Sequence, residues 1–162
     1  MKKFLITASA LTRIKERAAT LPLLKNSIRQ GEGSLVAYIG EEVVKNVLNG
    51  QIKDTYDYDI VYQNMKVDVK TKERTVAPKP YYECSVADFN TKQDCDYYVF
   101  VRIENVKHKW KRAWVLGAYD KESYFKDAKF LKRGQYDPDN GFRVKADCYN
   151  IPINKLEQFL FL

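Results

Sequence analysis

Tyr56-Asp57-Tyr58-Asp59-Ile60-Val61-Tyr62-Gln63-Asn64-Met65-Lys66-Val67-Asp68-Val69-Lys70-Thr71-Lys72 alternates polar and apolar residues on either side of Gln63-Asn64. That pattern predicts two short strands joined by a two-residue turn. With Gln63-Asn64 at the tip, paired positions place Asp59 opposite Asp68 and Asp57 opposite Lys70. Side chains alternate along a strand, so Asp57, Asp59, Lys66, Asp68 and Lys70 share one face. Ile60, Val67 and Val69 point the other way, into a core. Like charges directly opposite one another destabilise a sheet. A hairpin that sets Asp59 against Asp68 with Lys70 alongside is therefore expected to bind a cation.

The helix expected before this hairpin adds a third carboxylate. From Ser34, a capping residue, to Leu48, the residues Ala37, Glu41, Val44 and Leu48 fall on one stripe, and Asn49-Gly50 supplies the stop. Glu41 thus points toward the sheet, while Glu42, Tyr38 and Lys45 fall on a more polar side. A carboxylate on an apolar stripe is costly unless paired or coordinated. Glu41 is accordingly expected to reach Asp59 and Asp68, or to sit in a buried ion pair.

The rest of the chain fits around these pieces. Residues 8–29 read as a helix with Leu11, Ile14, Ala18, Leu21 and Leu24 as its apolar stripe, divided near Pro22. An apolar and aromatic stretch runs from Tyr81 to Phe89, and Tyr97–Ile103 is nearly continuous in apolar residues, as a central strand covered on both faces would be. Ala113–Tyr119 is another strand, Glu122–Leu131 a short helix, Asp137–Gly141 a turn, and Ile153–Phe159 a short terminal helix. The expected fold is α/β, one domain with a four- to five-strand mixed central sheet flanked by helices. Residues 1–30 would be an N-terminal helical segment, 31–120 the core and 121–162 a C-terminal extension.

Composition narrows the partner. With 28 Lys+Arg against 21 Asp+Glu, the chain carries a formal net charge of +7, and its 12 Tyr suit a polyanion such as nucleic acid. Lys107, Lys109, Lys111 and Arg112 interleave with Trp110 in a basic turn that could grip a phosphate backbone and stack on a base. A solvated hairpin tip with Trp110 packed beneath it is the bland alternative. Cys84, Cys95 and Cys148 are odd in number and widely spaced, which argues against a disulfide framework or zinc site and for a reducing, cytoplasmic setting. His108 is the single histidine and reads as solvated. The apolar run of Phe4-Leu5-Ile6 is too short for a signal peptide or a membrane span.

Gly40-Glu41, Asp59 and Asp68-Val69-Lys70 together resemble the PD-(D/E)XK, or restriction-endonuclease-like, nuclease superfamily. The longer pattern of Leu24–Ile28, Gly31-Glu32-Gly33, Gly40-Glu41, Tyr58-Asp59 and Asp68–Thr71 is similar to small members from phages and mobile elements. Tyr58 stands where the family name expects proline. The resemblance implies a Mg2+-dependent DNA endonuclease, with Mn2+ as a possible substitute. Glu41, Asp59, Asp68 and Lys70 would be its catalytic residues; Glu41, Asp59, Asp68 and the Val69 carbonyl would hold the metal. Lys72 would contact phosphate. One site per small domain implies a homodimer or higher oligomer for a double-strand cut, in a restriction-like, homing or junction-resolving role. The competing readings are an inactive nucleic-acid-binding module of the same fold and a phage structural or interaction protein.

Overall fold

A computed structural model describes residues 1–20, 32–53, 55–107, 109–139 and 141–158, with only the backbone for 32–34. Its hairpin register is the one the alternation predicts. β3 (Ile60–Tyr62) pairs antiparallel with β4 (Met65–Arg74) through Ile60↔Val67, Val61↔Lys66 and Tyr62↔Met65. Gln63 and Asn64 both have positive φ, 48° and 64°, as the favoured two-residue hairpin turn requires. β3 is shorter than expected. It begins at Ile60, so Asp57 lies in the preceding loop and is not the strand partner of Lys70.

The main sheet has six strands, one or two more than expected, in the order β1-β7-β6-β4-β3-β2. β1 (Lys2–Leu5) and β2 (Gln51–Ile52) are its short outer strands, and both were missed in the sequence. β6 (Tyr97–Val106) runs parallel to β4 and antiparallel to β7 (Lys109–Asp120), so the sheet is mixed and β6 is central, as its apolar run implies. A second sheet of three strands, in the order β5-β9-β8, uses β5 (Glu83–Ala87), β8 (Lys129–Leu131) and β9 (Cys148–Pro152).

Helices α1 (Ala8–Thr20) and α2 (Glu32–Leu48) cover one face of the main sheet. Thr7 caps α1, its hydroxyl accepting from Ala10 N at 3.2 Å, and the second half of the expected first helix lies outside the described residues. α2 begins two residues before Ser34 and ends at Leu48, followed by Asn49 in the left-handed conformation at φ 54°. Ile14, Val36, Ile39, Val44 and Leu48 pack here against Ile60, Val67, Val69, Val99, Val101 and Ile103. Tyr38, expected on the polar side, is instead buried.

The opposite face is covered mainly by the second sheet and by α3 (Lys121–Asp127), rather than by long helices. Tyr98, Phe100, Trp114 and Leu116 meet Cys84, Val86, Ile151 and Tyr124 in an aromatic core. The helix expected through Leu131 stops at Asp127 because residues 129–131 join β9 as a strand. The expected terminal helix is a single 3-10 turn, Ile153–Lys155, followed by a bridge from Glu157 to Ala118. Pro138 and Asp139 lie in a turn as expected, and Gly141 N donates to Asp137 O at 2.7 Å, with Asn140 outside the described residues. No described helix is long and apolar enough to cross a membrane.

Candidate functional site

β4 is the element on which the candidate residues converge. Its Val67, Val69 and Thr71 face α2, so alternation turns Asp68, Lys70 and Lys72 toward the second sheet. β3 covers only the first residues of β4, and beyond Val67 that edge has no strand partner on this side. Here the side chain of Asp59 substitutes for the ladder: its Oδ2 accepts from Val69 N at 2.7 Å, while Asp59 N donates to Val67 O at 3.0 Å. In a strand a residue's N–H and C=O point the same way, so the Val69 carbonyl lies along this same edge.

Asp68 is 4% exposed, and its Oδ2 lies 2.5 Å from Lys70 Nζ. The same oxygen has no aligned hydrogen-bond donor among the described residues, so the contact is an ion pair and not a directed bond. Lys70 directs its ammonium at Gln93 Oε1, 2.9 Å away, and lies over the Tyr98 ring at 5.6 Å. Gln93 is buried and is itself anchored, donating from Nε2 to Tyr56 O at 2.7 Å. Lys66 pairs with Asp94 at 2.5 Å, and Asp57 accepts from Asp94 N, so neither joins the cluster in the way the shared face suggested.

Glu41 arrives from the helix side. α2 crosses β4 at a point where only glycine fits, since a Cβ on Gly40 would lie 1.9 Å from Thr71 Oγ1. That close approach brings the next residue, Glu41, to the sheet, where it is 6% exposed and paired with Arg17 at 2.6 Å. Arg17 also stacks over the Tyr38 ring at 4.7 Å. Glu41 is thus a buried ion-paired carboxylate, one of its two expected states, and it still acts on Asp59. Burial raises the Asp59 pKa well above its ordinary value, the negative charges of Asp68 and then Glu41 raise it further, and the Val69 N–H pulls it back in part.

As the side chains stand, no three His, Cys, Asp or Glu among the described residues form a metal-holding group. The donor chemistry nonetheless fits a hard divalent cation. Asp68 is buried with only the Lys70 ammonium ion-paired to its Oδ2, Asp59 is crowded by like charge, and Mg2+ needs only one or two carboxylates together with substrate phosphate. Asp59 and Asp68 would hold such an ion, with the Val69 carbonyl and Glu41 as further oxygen donors.

The residues expected to bind nucleic acid divide. Lys107, Lys109 and Lys111 are exposed at the β6–β7 tip, where Lys107 has a φ of 51°. Trp110 is not displayed for stacking: its Nε1 donates to Glu73 Oε1 at 2.6 Å and its ring packs at the edge of the aliphatic core. Arg112 grips Glu104 through two bonds of 2.5 Å. Asp68 is level with Tyr98 on β6, so the tip at Val106 lies eight residues, or about 26 Å, along the sheet from the carboxylates. Lys72 is drawn inward, donating to Ser85 Oγ at 3.0 Å.

Three residues at the site escaped the sequence reading. Gln93 sits in a loop with no periodicity to mark it. Arg17 belongs to the polar side of α1 by pattern. Arg102 carried a signal, a lone charge inside the apolar run of β6, and it is 4% exposed in the structure. No family model matches this sequence, and no curated protein matches it either.

Proposed function

We propose that this chain is a metal-dependent nuclease that hydrolyses phosphodiester bonds in DNA. The observation that supports it best is the pair Asp59 and Asp68 at the uncovered edge of β4, with Lys70 held 2.5 Å from one carboxylate and 2.9 Å from Gln93. A divalent cation bound there would polarise the phosphate and lower the pKa of a coordinated water. The chain's own residues do the positioning. Val69 N–H fixes the Asp59 carboxylate, and Asp68 and Gln93 together orient the Lys70 ammonium. Lys70 then presents fixed positive charge to the phosphate oxygens, where negative charge grows in the transition state. The formal charge of +7 favours association with a polyanion. A homodimer would supply the second site that a double-strand cut requires.

Incubation with supercoiled plasmid and branched DNA in Mg2+, Mn2+ or EDTA tests the reading. Metal-dependent cutting by the wild type, lost in Asp68→Ala and Lys70→Ala, supports it. DNA binding without cutting by any form would favour a second reading, a binding module of similar architecture. The Arg17–Glu41 pair favours that module, because it neutralises one of the expected metal ligands from within the chain.

A further inference from the structure

Beyond Lys70, β4 carries a second polar constellation with the opposite sign. A partly open cleft of about 250 Å³ lies among α2, β4, β5 and β6; Ala37, Phe100 and Val101 give it apolar walls, and Lys70, Lys72, Ser85 and Arg102 also line it. Its volume is below the ~300–1,000 Å3 of drug-sized ligand pockets, a size suited to one small group. Arg102 is buried; it donates from Nη2 to the backbone carbonyl of Glu83, and its Nε has no partner. Lys72 donates to the Ser85 hydroxyl, an acceptor without charge. Among the described residues neither cation forms an ion pair.

The neighbouring groups offset them only in part. Cys84 also lines the cleft, but burial pushes its thiol up to about 12, and burial raises Cys148 likewise, so both stay protonated. Glu83 acts on both cations without an ion pair to either; burial raises its pKa, and Lys129 is the cation that acts on it most strongly. Two cations taken out of water without a counter-ion are costly, and an oxyanion is the ligand that their geometry would satisfy. Lys72 and Arg102 are register partners on neighbouring strands, and with the Ser85 hydroxyl they supply the donor types, an ammonium, a guanidinium and a hydroxyl, that recognise a phosphate.

We infer that the Lys72–Ser85–Arg102 cleft is an oxyanion site that seats a phosphate group. This deepens the nuclease reading and rests on it for the natural ligand, a phosphate of the DNA strand next to the one being cut. The site itself is tested without cleavage. Full-length protein is titrated with inorganic phosphate at constant ionic strength, by calorimetry and thermal shift, beside Lys72→Met and Ser85→Ala. The expected result is saturable binding to wild type that weakens about tenfold or more in Lys72→Met, the factor carried by one charge-assisted hydrogen bond. Ser85→Ala, which leaves both cations in place, should weaken it less.

A second arm identifies the source of the phosphate, using single-stranded oligonucleotides in EDTA with a 5′-phosphate or a 5′-hydroxyl. Tighter binding of the phosphorylated strand, lost in Lys72→Met, assigns the cleft to a terminal phosphate. Equal binding of both strands, weakened alike by Lys72→Met, assigns it to an internal phosphodiester. If Lys72→Met folds and binds phosphate and both strands as the wild type does, the inference is overturned. Absence of phosphate binding to the wild type, with strand binding indifferent to Lys72→Met, overturns it as well. Phosphate binding by a protein that never cuts DNA would leave the cleft standing and remove the nuclease reading alone.

Discussion

The two halves of β4 are built from the same alternation but carry opposite electrostatic problems. At Asp68, carboxylates accumulate: Asp59 is pushed toward its neutral form by burial and by Asp68 and Glu41. At Lys72, four residues on, cations accumulate: burial and then the charges of Arg102 and Arg74 hold its pKa down at about 8. Lys70 stands between them, paired to Asp68 and lining the basic cleft. Arg17 and Lys70 offset the acidic half in part, and each imbalance could be relieved by apolar residues of similar volume. On the proposed nuclease reading, a ligand set with both signs, a divalent cation beside a chain of phosphates, would relieve both at once. One strand would then read the two halves of a metal–phosphodiester complex.

The comparison breaks first on activity. If the acidic half does the chemistry, Asp68→Ala and Lys70→Ala should each lower plasmid cleavage by about 100-fold or more. Lys72→Met should act mainly on KM, leaving kcat much closer to the wild type. Equal losses of kcat in all three variants would erase the distinction between the halves.

Stability offers a second break. Gly40→Ala drives a methyl into Thr71, and overpacking of this kind costs roughly 1–3 kcal/mol, offset in part by the better helix propensity of alanine. Denaturant unfolding should show the loss, and Thr71→Ala should restore part of it by removing the clashing hydroxyl. Lack of any rescue in the double variant would show that α2 is not seated on Thr71.

The hairpin was legible because its signals were all local. Two-residue alternation and Gln63-Asn64 fix the register, and register alone places Asp59 by Asp68. What failed was everything set by distant partners. Lys129–Leu131 reads as the end of a helix until β9 is there to pair with it. Asp57 reads as a strand residue, but the Asp59 side chain takes over the ladder bond to Val69 and ends the pairing early. Trp110 reads as a base-stacking residue until Glu73, 37 positions earlier, accepts its N–H. Gln93 has no local signature at all, since its role exists only once Tyr56 and Lys70 flank it. The Arg102 charge within an apolar strand was the one non-local feature that the sequence displayed openly.

Removing a buried charge from either half should stabilise the ligand-free protein, which sharpens the comparison. For Lys72 the depression from 10.5 to about 8 corresponds to roughly 3 kcal/mol of unfavourable charging at neutral pH, an upper figure for what Lys72→Met could return. A gain of about 1–2 kcal/mol is expected after the lost Ser85 bond. The folded-state pKa lies below the unfolded one, so Lys72 destabilises the fold most below pH 8. The gap between wild type and Lys72→Met should therefore narrow as pH rises from 8 toward 10.5, measured as the difference of their urea unfolding free energies. Asp59→Asn should likewise raise the melting temperature without metal and remove any stabilisation by added Mg2+. Destabilisation by both substitutions would mean that the charges are satisfied within the chain.

The smallest effect belongs to the exposed tip, which lies outside both halves. Lys107, Lys109 and Lys111 make no ion pair among the described residues, and Trp110 is tied to Glu73, so the tip offers charge without a stacking surface. Replacing the three lysines by glutamine should leave the melting temperature nearly unchanged, as surface substitutions usually do. It should weaken DNA binding evenly across sequences. The slope of log K against log salt should flatten by about 0.9 for each lysine that touches a phosphate of duplex DNA. A slope that does not change would confine the DNA path to β4 and its neighbours. A loss of affinity that depended on base composition would instead mean that Trp110 leaves Glu73 when DNA binds.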